Sequence, residues 1–137
     1  MMRTFQTLNQ FNFDADSGIL YLSASQPNDP ASLMALKQEG SYVNISVIHG
    51  PIEIALRPRL QELQRVLARL KAVEGMQTAR QVGTGQAFLA LGLGTDGQLL
   101  LRPTIVADAA GHLMFNIALT DAVRARLFEW LAVSSEA

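Results

Sequence analysis

Residues 42–58 have the sequence Tyr42-Val43-Asn44-Ile45-Ser46-Val47-Ile48-His49-Gly50-Pro51-Ile52-Glu53-Ile54-Ala55-Leu56-Arg57-Pro58, and this stretch decides the fold. Residues 42–48 alternate apolar and polar side chains, which is the pattern of a half-buried strand. Residues 49–51 supply the turn chemistry of a hairpin, and residues 52–56 predict its second strand. A helix is predicted to begin at Arg57-Pro58, run to about Val73 and stop at Gly75. A hairpin joined to a helix predicts an α+β fold with antiparallel sheets.

The predicted helix is amphipathic. Its apolar residues recur at steps of three and four, which places them on one stripe, namely Leu60, Leu63, Val66, Leu67, Leu70 and Val73. The opposite side carries Arg59, Glu62, Arg65, Arg69 and Lys71. Burying the stripe is worth about 2 kcal/mol for each large side chain, so the helix is expected to lie on a sheet. We interpret the basic residues from Arg57 to Lys71 as a solvated helix face, with a phosphate-contacting patch as the alternative.

The N-terminal third predicts another hairpin and contains one ambiguous segment. Residues 5–13 alternate as a strand, whose one face carries Phe5, Thr7, Asn9, Phe11 and Phe13. Residues 14–18 are rich in turn formers, and residues 19–25 predict the return strand. Residues 30–36 fit either a short helical turn or an irregular strand, and both alternatives stay open.

The second half repeats the scheme of strands followed by a helix. Strands are predicted at residues 77–82, 86–93, 98–107 and 112–119. Pro103 restricts the third of these to an edge, an end or a bulge, because proline cannot donate to a ladder. Thr120 is the predicted N-cap of the last helix, whose apolar stripe comprises Val123, Leu127, Trp130 and Leu131.

We therefore predict a single domain over residues 1–137. It comprises two tandem units, about residues 1–75 and 76–137, each with about four antiparallel strands and one helix. Hydrophobic residues make up 49% of the chain, which is enough for one core, and there is no cysteine to form disulfides or thiolate metal sites. Residues 1–6 lack an apolar signal core, and no apolar run reaches the roughly 20 residues that cross a bilayer. We expect a soluble cytoplasmic protein.

Charge bears on the kind of partner. Charged residues are 17% of the chain, below the roughly 25% of typical domains, and the formal net charge is −1. A weakly charged, apolar chain favours a homo-oligomer that hides surface between copies. The same balance is unfavourable for electrostatic capture of nucleic acid, which usually needs a basic patch.

The predicted order of elements resembles that of the Whirly family of single-stranded-DNA-binding regulators, and more distantly the Pur-type nucleic-acid-binding repeat. Residues 43–50 and 54–57 also resemble the strand pair of the transcription coactivator positive cofactor four. The resemblance implies that single-stranded DNA or RNA lies on the sheets, held by basic and aromatic side chains. The candidate binding residues are Arg80, Arg102, His49 and Arg57. The lysine-rich motif of Whirly strands is absent from this sequence.

A second resemblance is to the small acidic chaperones of type III secretion. Residues 89–101 look like their glycine-flanked strand pair, which is likewise followed by an amphipathic helix. This resemblance implies a dimer that binds extended polypeptides.

The sequence predicts no catalytic set, no cofactor and no metal site. Residues 92–97 match the glycine pattern of a dinucleotide site, but a strand is predicted where that motif needs a helix. Residues 14–18 look like the start of a calcium loop and lack its closing glutamate. His49 and His112 both flank turns, where surface histidines are common.

Two functional hypotheses follow. The first is a non-enzymatic module that binds single-stranded nucleic acid on its sheets, which the element order favours. The second is a protein-binding chaperone or adaptor that acts as a homo-oligomer, which the low charge and apolar content favour. The charge distribution over the folded sheets separates them, because nucleic acid needs a continuous positive track.

Overall fold

The computed structural model describes residues 5–25, 32–73, 80–108 and 110–133. These residues contain eleven strands and two helices. The first seven elements are β1 (Gln6–Leu8), β2 (Gln10–Asp14), β3 (Ile19–Ser23), β4 (Ser32–Glu39), β5 (Tyr42–His49), β6 (Ile52–Leu56) and α1 (Leu60–Ala68). They are followed by β7 (Arg80–Gly83), β8 (Ala87–Leu93), β9 (Leu99–Ala107), β10 (Gly111–Met114), β11 (Ile117–Leu119) and α2 (Asp121–Leu131). The fold is α+β, as the sequence predicts.

The first sheet is a five-stranded antiparallel meander in the order β2-β3-β4-β5-β6. The hairpin that decides the fold forms its β5–β6 pair, in which His49 lies opposite Ile52. Residues of one parity in each strand point to the same face, and here that inner face is apolar. Its buried residues are Leu20, Leu22, Met34, Leu36, Val43, Ile45, Val47, Ile54 and Leu56.

Strand β4 contains most of the segment, residues 30–36, for which the sequence allowed either a helical turn or an irregular strand. Residues 32–36 belong to a regular strand that pairs with β3 on one side and β5 on the other. The helical alternative is therefore wrong for these residues, while residues 30 and 31 lie outside the described part of the chain. The two neighbouring strands stabilise β4, and they matter more for a central strand than its own residue pattern.

Residues 5–13 form two strands, so the prediction of one continuous strand is wrong. β1 joins the second sheet, whereas β2 pairs with β3 in the first. The break falls at Asn9, whose backbone N–H donates to the Ser23 carbonyl at 2.9 Å. In β1, Leu8 is 1% exposed and Thr7 is exposed, so this strand buries the face opposite to the predicted aromatic one. In β2, by contrast, Phe11 and Phe13 lie opposite Leu22 and Leu20 on the inner side.

The second sheet has six strands, in the order β1-β11-β9-β8-β7, with β10 also paired to β9. Its pairs are antiparallel except the parallel pair of β1 with β11. The N-terminal strand thus ties the first half of the chain to the second. The predicted succession of antiparallel strands and a helix, repeated once, is confirmed, with six strands before α1 and five before α2.

Pro103 interrupts the ladder in the middle of the six-stranded sheet. It lies inside β9, a central strand whose register does not change at this point, so the prediction of an edge, an end or a bulge is wrong. The Phe115 N–H donates to the Pro103 carbonyl at 3.2 Å, but Pro103 has no N–H with which to return the bond. The strand predicted at 112–119 is therefore divided into β10 and β11, which keep one register along β9.

One hydrophobic core joins the inner faces of both sheets and both helices. α1 contributes Leu63 and Leu67, and α2 contributes Val123, Leu127 and Leu131. α2 begins where the sequence predicts, because the Thr120 hydroxyl accepts a hydrogen bond from the Val123 N–H at 3.3 Å. Both helices are held against the sheets by burial worth about 2 kcal/mol per large side chain.

Helix α1 is shorter than predicted, since it ends at Ala68 rather than near Val73. Ala72 forms a parallel bridge to Leu93, and the Val73 N–H donates to the Leu93 carbonyl at 2.9 Å. The edge of β8 therefore binds backbone groups that a longer helix would satisfy internally. Gly75 and residues 77–79 of the predicted next strand lie outside the described residues.

Candidate binding face

The five-stranded sheet buries one face and leaves the other accessible. β4 and β5 alternate between buried and half-buried residues, because successive side chains point to opposite faces. The helices and the six-stranded sheet meet the buried face. We call the opposite side the open face, and none of its residues is buried. The open face comprises Gln10, Asn12, Asp14, Ile19, Tyr21, Ser23, Leu33, Ala35, Lys37, Glu39, Tyr42, Asn44, Ser46, Ile48, Glu53, Ala55 and Arg57.

Small side chains form a row across the middle of the open face. Ala35 pairs with Ser46, and Ser46 pairs with Ala55, so these residues lie side by side on β4, β5 and β6. Longer side chains flank the row two residues away on each strand, among them Lys37 and Arg57 on one side. A shallow depression of about 420 Å³ results. Its lining side chains include Ile19, Ala35, Lys37, Asn44, Ser46, Ala55 and Arg57.

The charges of the open face nearly balance. Its cations are Lys37 and Arg57, joined by Arg59, which bridges to Tyr42 just beyond β6, and its anions are Asp14, Glu39 and Glu53. Asn44 Nδ2 donates to Glu39 Oε1 at 2.5 Å, and the Ser46 hydroxyl donates to the Glu53 carboxylate. On β6, Glu53 and Arg57 stand on opposite sides of Ala55 and therefore on opposite sides of the small row. The face presents both signs of charge and no continuous positive track.

Arg57 is held over the ring of Tyr42. Its Cζ atom lies 4.5 Å from the ring centroid, and the Cζ atom of Arg59 lies 5.6 Å from the same centroid. Each contact between a guanidinium group and a ring contributes about 0.5–1 kcal/mol at an exposed position. The charge of Arg57 is thereby held at one end of the depression, and the Tyr42 ring already contacts two guanidinium groups.

Two of the four predicted site residues, Arg57 and His49, lie on opposite faces of the five-stranded sheet. Arg57 is on the open face, whereas His49 lies at the end of β5 with the parity of the buried residues. The His49 Nδ1 is 2.8 Å from the Ser32 hydroxyl, and its ring centroid is 5.5 Å from that of Phe115. His49 therefore closes the rim of the core between the two sheets.

The other two predicted residues, Arg80 and Arg102, point to opposite faces of the six-stranded sheet, because Arg102 shares a row with Gln81 rather than with Arg80. The Arg102 Nε donates to Asn116 Oδ1 at 2.8 Å. Arg80 is exposed on the edge strand β7. The four predicted residues therefore do not form one site.

The basic residues between 57 and 71 also divide between two places. Arg57 and Arg59 contact Tyr42, as described above. Arg69 and Lys71 line a depression of about 230 Å³ together with Arg80. The structure thus brings three cations together at the end of α1. In the sequence analysis, Arg80 is a candidate on a strand and is not grouped with the basic residues of the helix.

The two motif matches in the sequence are hairpin turns. The Asp14 carboxylate accepts hydrogen bonds from the Asp16 N–H at 3.1 Å and the Ser17 hydroxyl at 2.9 Å, so it is engaged within its own turn. The Gly94 N–H donates to the Gln98 carbonyl at 2.8 Å, and β9 follows. A pyrophosphate site would need a helix N-terminus at that point.

In the described part of the chain, the six-stranded sheet is buried at the centre of its outer side and is exposed towards its margins, at Thr7, Gln81 and His112. On its side away from the core, Ala90, Leu100, Thr104 and Ala118 are each at most 7% exposed. Arg102 shares this side and is half-buried. A ligand that needs a broad sheet surface is therefore better accommodated on the five-stranded sheet.

Sequence reasoning missed the small row at the centre of the open face. A signal for half of it was present, because the turn at residues 50 and 51 fixes the hairpin register and places Ser46 opposite Ala55. Ala35 and Lys37 gave no such signal, since their segment was compatible with a helix.

No protein-family model, curated protein or solved structure matches this chain. The resemblances to Whirly proteins, positive cofactor four and secretion chaperones stay predictions. Neither helix in the described ranges is long and apolar enough to span a lipid bilayer. Within those ranges, no group of three or more histidine, aspartate or glutamate residues is placed to hold a metal ion.

Proposed function

We propose that this chain is a non-enzymatic protein-binding module, an adaptor or chaperone, and that it binds its partner on the open face. The observation that carries the proposal is an accessible antiparallel face with a row of small side chains across its middle. A shallow surface of this kind suits a macromolecule, whereas small-molecule sites are concave and enclosed. We also propose a cytoplasmic location, which the lack of cysteine favours.

The chemistry of the open face favours protein over nucleic acid. Single-stranded nucleic acid is bound in a cationic groove with rings on which the bases stack. With Arg59 included, the open face has three anions against three cations, so it carries no excess of positive charge. The Tyr42 ring is also covered by Arg57 and Arg59. Mixed apolar and polar surface with few charges at its centre is typical of protein interfaces.

Four large apolar side chains supply the attractive surface. Ile19, Tyr21, Leu33 and Ile48 are only half-buried in the isolated chain. If a partner covers about 40 Å² more of each, the gain is roughly 1 kcal/mol per residue. Such a gain supports moderate affinity, because association must first overcome the entropy lost on binding.

The proposal is tested by placing a bulky charge in the small row. Wild-type chain, Ala55→Arg and the control Ala125→Arg, which changes an exposed residue of α2, are immobilised and exposed to extract of the source cells. We expect a protein retained in fixed stoichiometry by the wild type and the control and lost with Ala55→Arg. Retention of the same proteins by all three would overturn the proposal, as would retention of none.

A second candidate function is binding of single-stranded nucleic acid at the end of α1. The observation that favours it is the cluster of Arg69, Lys71 and Arg80 around one depression. Three cations can contact about three phosphates, and the logarithm of the binding constant then falls with the logarithm of salt concentration with a slope of about −2. Binding is therefore expected only at low salt.

Fluorescence polarisation with a labelled single-stranded oligonucleotide tests this candidate. We expect half-saturation at tens of micromolar in low salt, a clear loss with Arg80→Glu and little change with Arg65→Glu, which reverses an exposed charge on α1 outside the cluster. Equal losses in the two variants would count against the site. No binding at these concentrations would remove the candidate.

A further inference from the structure

We infer that the partner on the open face is a second copy of this chain. The inference rests on the proposed function, because it names the occupant of the same surface. The two copies form a two-fold symmetric dimer with their open faces together. In this dimer Arg57 of each copy pairs with Glu53 of the other.

The pairing follows from the positions of three residues on one strand. Glu53, Ala55 and Arg57 are two residues apart and so share the open face, with about 13 Å between Glu53 and Arg57. Consider a two-fold axis that lies between the copies and runs along the row of small side chains. It exchanges the two sides of the row and keeps β6 above β6. Arg57 therefore lies over Glu53 of the second copy, and the symmetry makes this contact twice.

The small row allows the two sheets to approach. Ala35, Ser46 and Ala55 lie on the axis, where each meets its own equivalent, and none of them is long enough to hold β4, β5 and β6 apart from their equivalents. Tyr21 pairs with Ala35 and continues the row onto β3, so the axis also brings the two Tyr21 rings together at that end of the interface. Packed sheets lie about 10 Å apart, a distance that small side chains on the axis permit. The same operation lays Lys37 over Leu33 of the second copy, where its hydrocarbon stem can cover the leucine. A self-complementary patch of this kind is what a two-fold interface requires.

The size of the open face sets the expected strength. Five strands about 4.8 Å apart and side chains spread over roughly 20 Å along them give about 500 Å² per copy, or about 1,000 Å² in the dimer. Stable specific interfaces bury about 1,200–2,000 Å². The dimer is therefore weak, with a dissociation constant on the order of 10–100 μM, and it closes on itself rather than growing into chains.

Burial of the open face can be measured on the unmodified chain, because it has two lysines in different places. Lys37 lies on the open face, and Lys71 lies beyond α1, where it is exposed. Acetylation rates of both lysines are measured by mass spectrometry at about 5 μM and about 300 μM protein. We expect Lys37 to react about threefold more slowly at the higher concentration and Lys71 to keep its rate. Equal rates for Lys37 at both concentrations would overturn the inference.

Charge reversal tests the proposed pair. Sedimentation equilibrium at about 50 mM salt should show dimerisation weakened at least tenfold in Glu53→Arg and in Arg57→Glu, because each homodimer then juxtaposes like charges twice. The two variants mixed together should form a heterodimer close to wild-type strength, as should the double variant with itself. Arg65→Glu serves as the control and should leave dimerisation unchanged.

The outcomes separate this inference from the proposed function. A wild-type chain that stays monomeric while Ala55→Arg still loses a retained protein would overturn the dimer and leave the proposed function standing. A dimer that neither single reversal weakens would overturn the placement on the open face. Circular dichroism on every variant confirms folding, and the lysine experiment decides the question without any substitution.

Discussion

Ile45 and Ile48 offer a direct test of the difference between the two faces of the five-stranded sheet. Both belong to β5, but Ile45 is 2% exposed on the inner face, and Ile48 is half-buried on the open face. Replacing each in turn by alanine removes the same atoms from the same strand. The two variants therefore differ only in which face loses the side chain.

The expected magnitudes follow from what surrounds each residue. Ile45 borders Leu63 of α1 and Leu101 of β9, so Ile45→Ala leaves a cavity where both sheets and a helix meet. Such truncations lower the free energy of unfolding by about 2–5 kcal/mol, and we expect about 3 kcal/mol here. Ile48→Ala loses cross-strand contact with Leu33 and some strand preference, which costs about 1 kcal/mol or less.

Urea denaturation followed by circular dichroism measures both values. At a slope of about 2 kcal/mol per molar urea, the midpoint should fall by roughly 1.5 M in Ile45→Ala and by no more than about 0.5 M in Ile48→Ala. The protein is kept near 1 μM, so that self-association through the open face does not add to the apparent stability. Losses of equal size, or a larger loss for Ile48→Ala, would refute the assignment of an accessible face.

Three further substitutions test other parts of the fold by the same measurement. Thr120→Ala should lower the free energy of unfolding by about 1 kcal/mol, because it removes the acceptor of the Val123 N–H, and Thr120→Ser should restore most of it; a serine variant as weak as the alanine variant would contradict the cap. Gly83→Ala should cost at least about 1 kcal/mol, because φ is +128° and an added Cβ would lie 2.6 Å from the Ala87 carbonyl oxygen. Gly85→Ala meets nothing within 4 Å and should be neutral to slightly stabilising, so equal effects at the two glycines would argue against this turn geometry. Leu8→Ala should cost about 2–5 kcal/mol, whereas Thr7→Ala on the exposed side should stay within about 0.5 kcal/mol; if Leu8→Ala were as mild as Thr7→Ala, β1 would not be docked beside β11.

The elements that could be predicted from the sequence are those fixed by neighbouring residues. Residues 42–48 and 52–56 correspond closely to β5 and β6, because alternation and a two-residue turn specify a hairpin locally. The start of α2 could likewise be predicted from the sequence, because its N-cap, Thr120, lies within one turn of the residues that it caps.

The elements that the sequence did not predict depend on contacts distant along the chain. The segment after α1 does not continue the helix and instead pairs with the distant Leu93, whose carbonyl accepts a hydrogen bond from the Val73 N–H. The break at Asn9 exists because β1 and β2 belong to different sheets, and that choice is made by β11 and β3. No window of neighbouring residues contains such information.

The candidate site shows the same division. Residue type identified arginines and histidines as possible ligands of nucleic acid, but strand parity decides which of them reach an accessible face. His49 has the parity of Val47 and faces the core, while Arg57 has the parity of Ala55 and faces outwards. Parity in β4 could be assigned only once its neighbours were known, so Ala35 and Lys37 became visible as site residues in the structure alone.

The low charge of the chain finds a physical explanation in the open face. A solvated antiparallel sheet usually carries long polar side chains on its outer side, whereas here the centre of that side is Ala35, Ser46 and Ala55. Small and apolar residues at this place make few favourable interactions with water. The other face of the sheet is already covered by both helices. An additional layer would bury these small residues, and Glu53 and Arg57 stand where such a layer could be held in register by charge. The arrangement is therefore better explained by a surface that is covered reversibly than by one that stays in water.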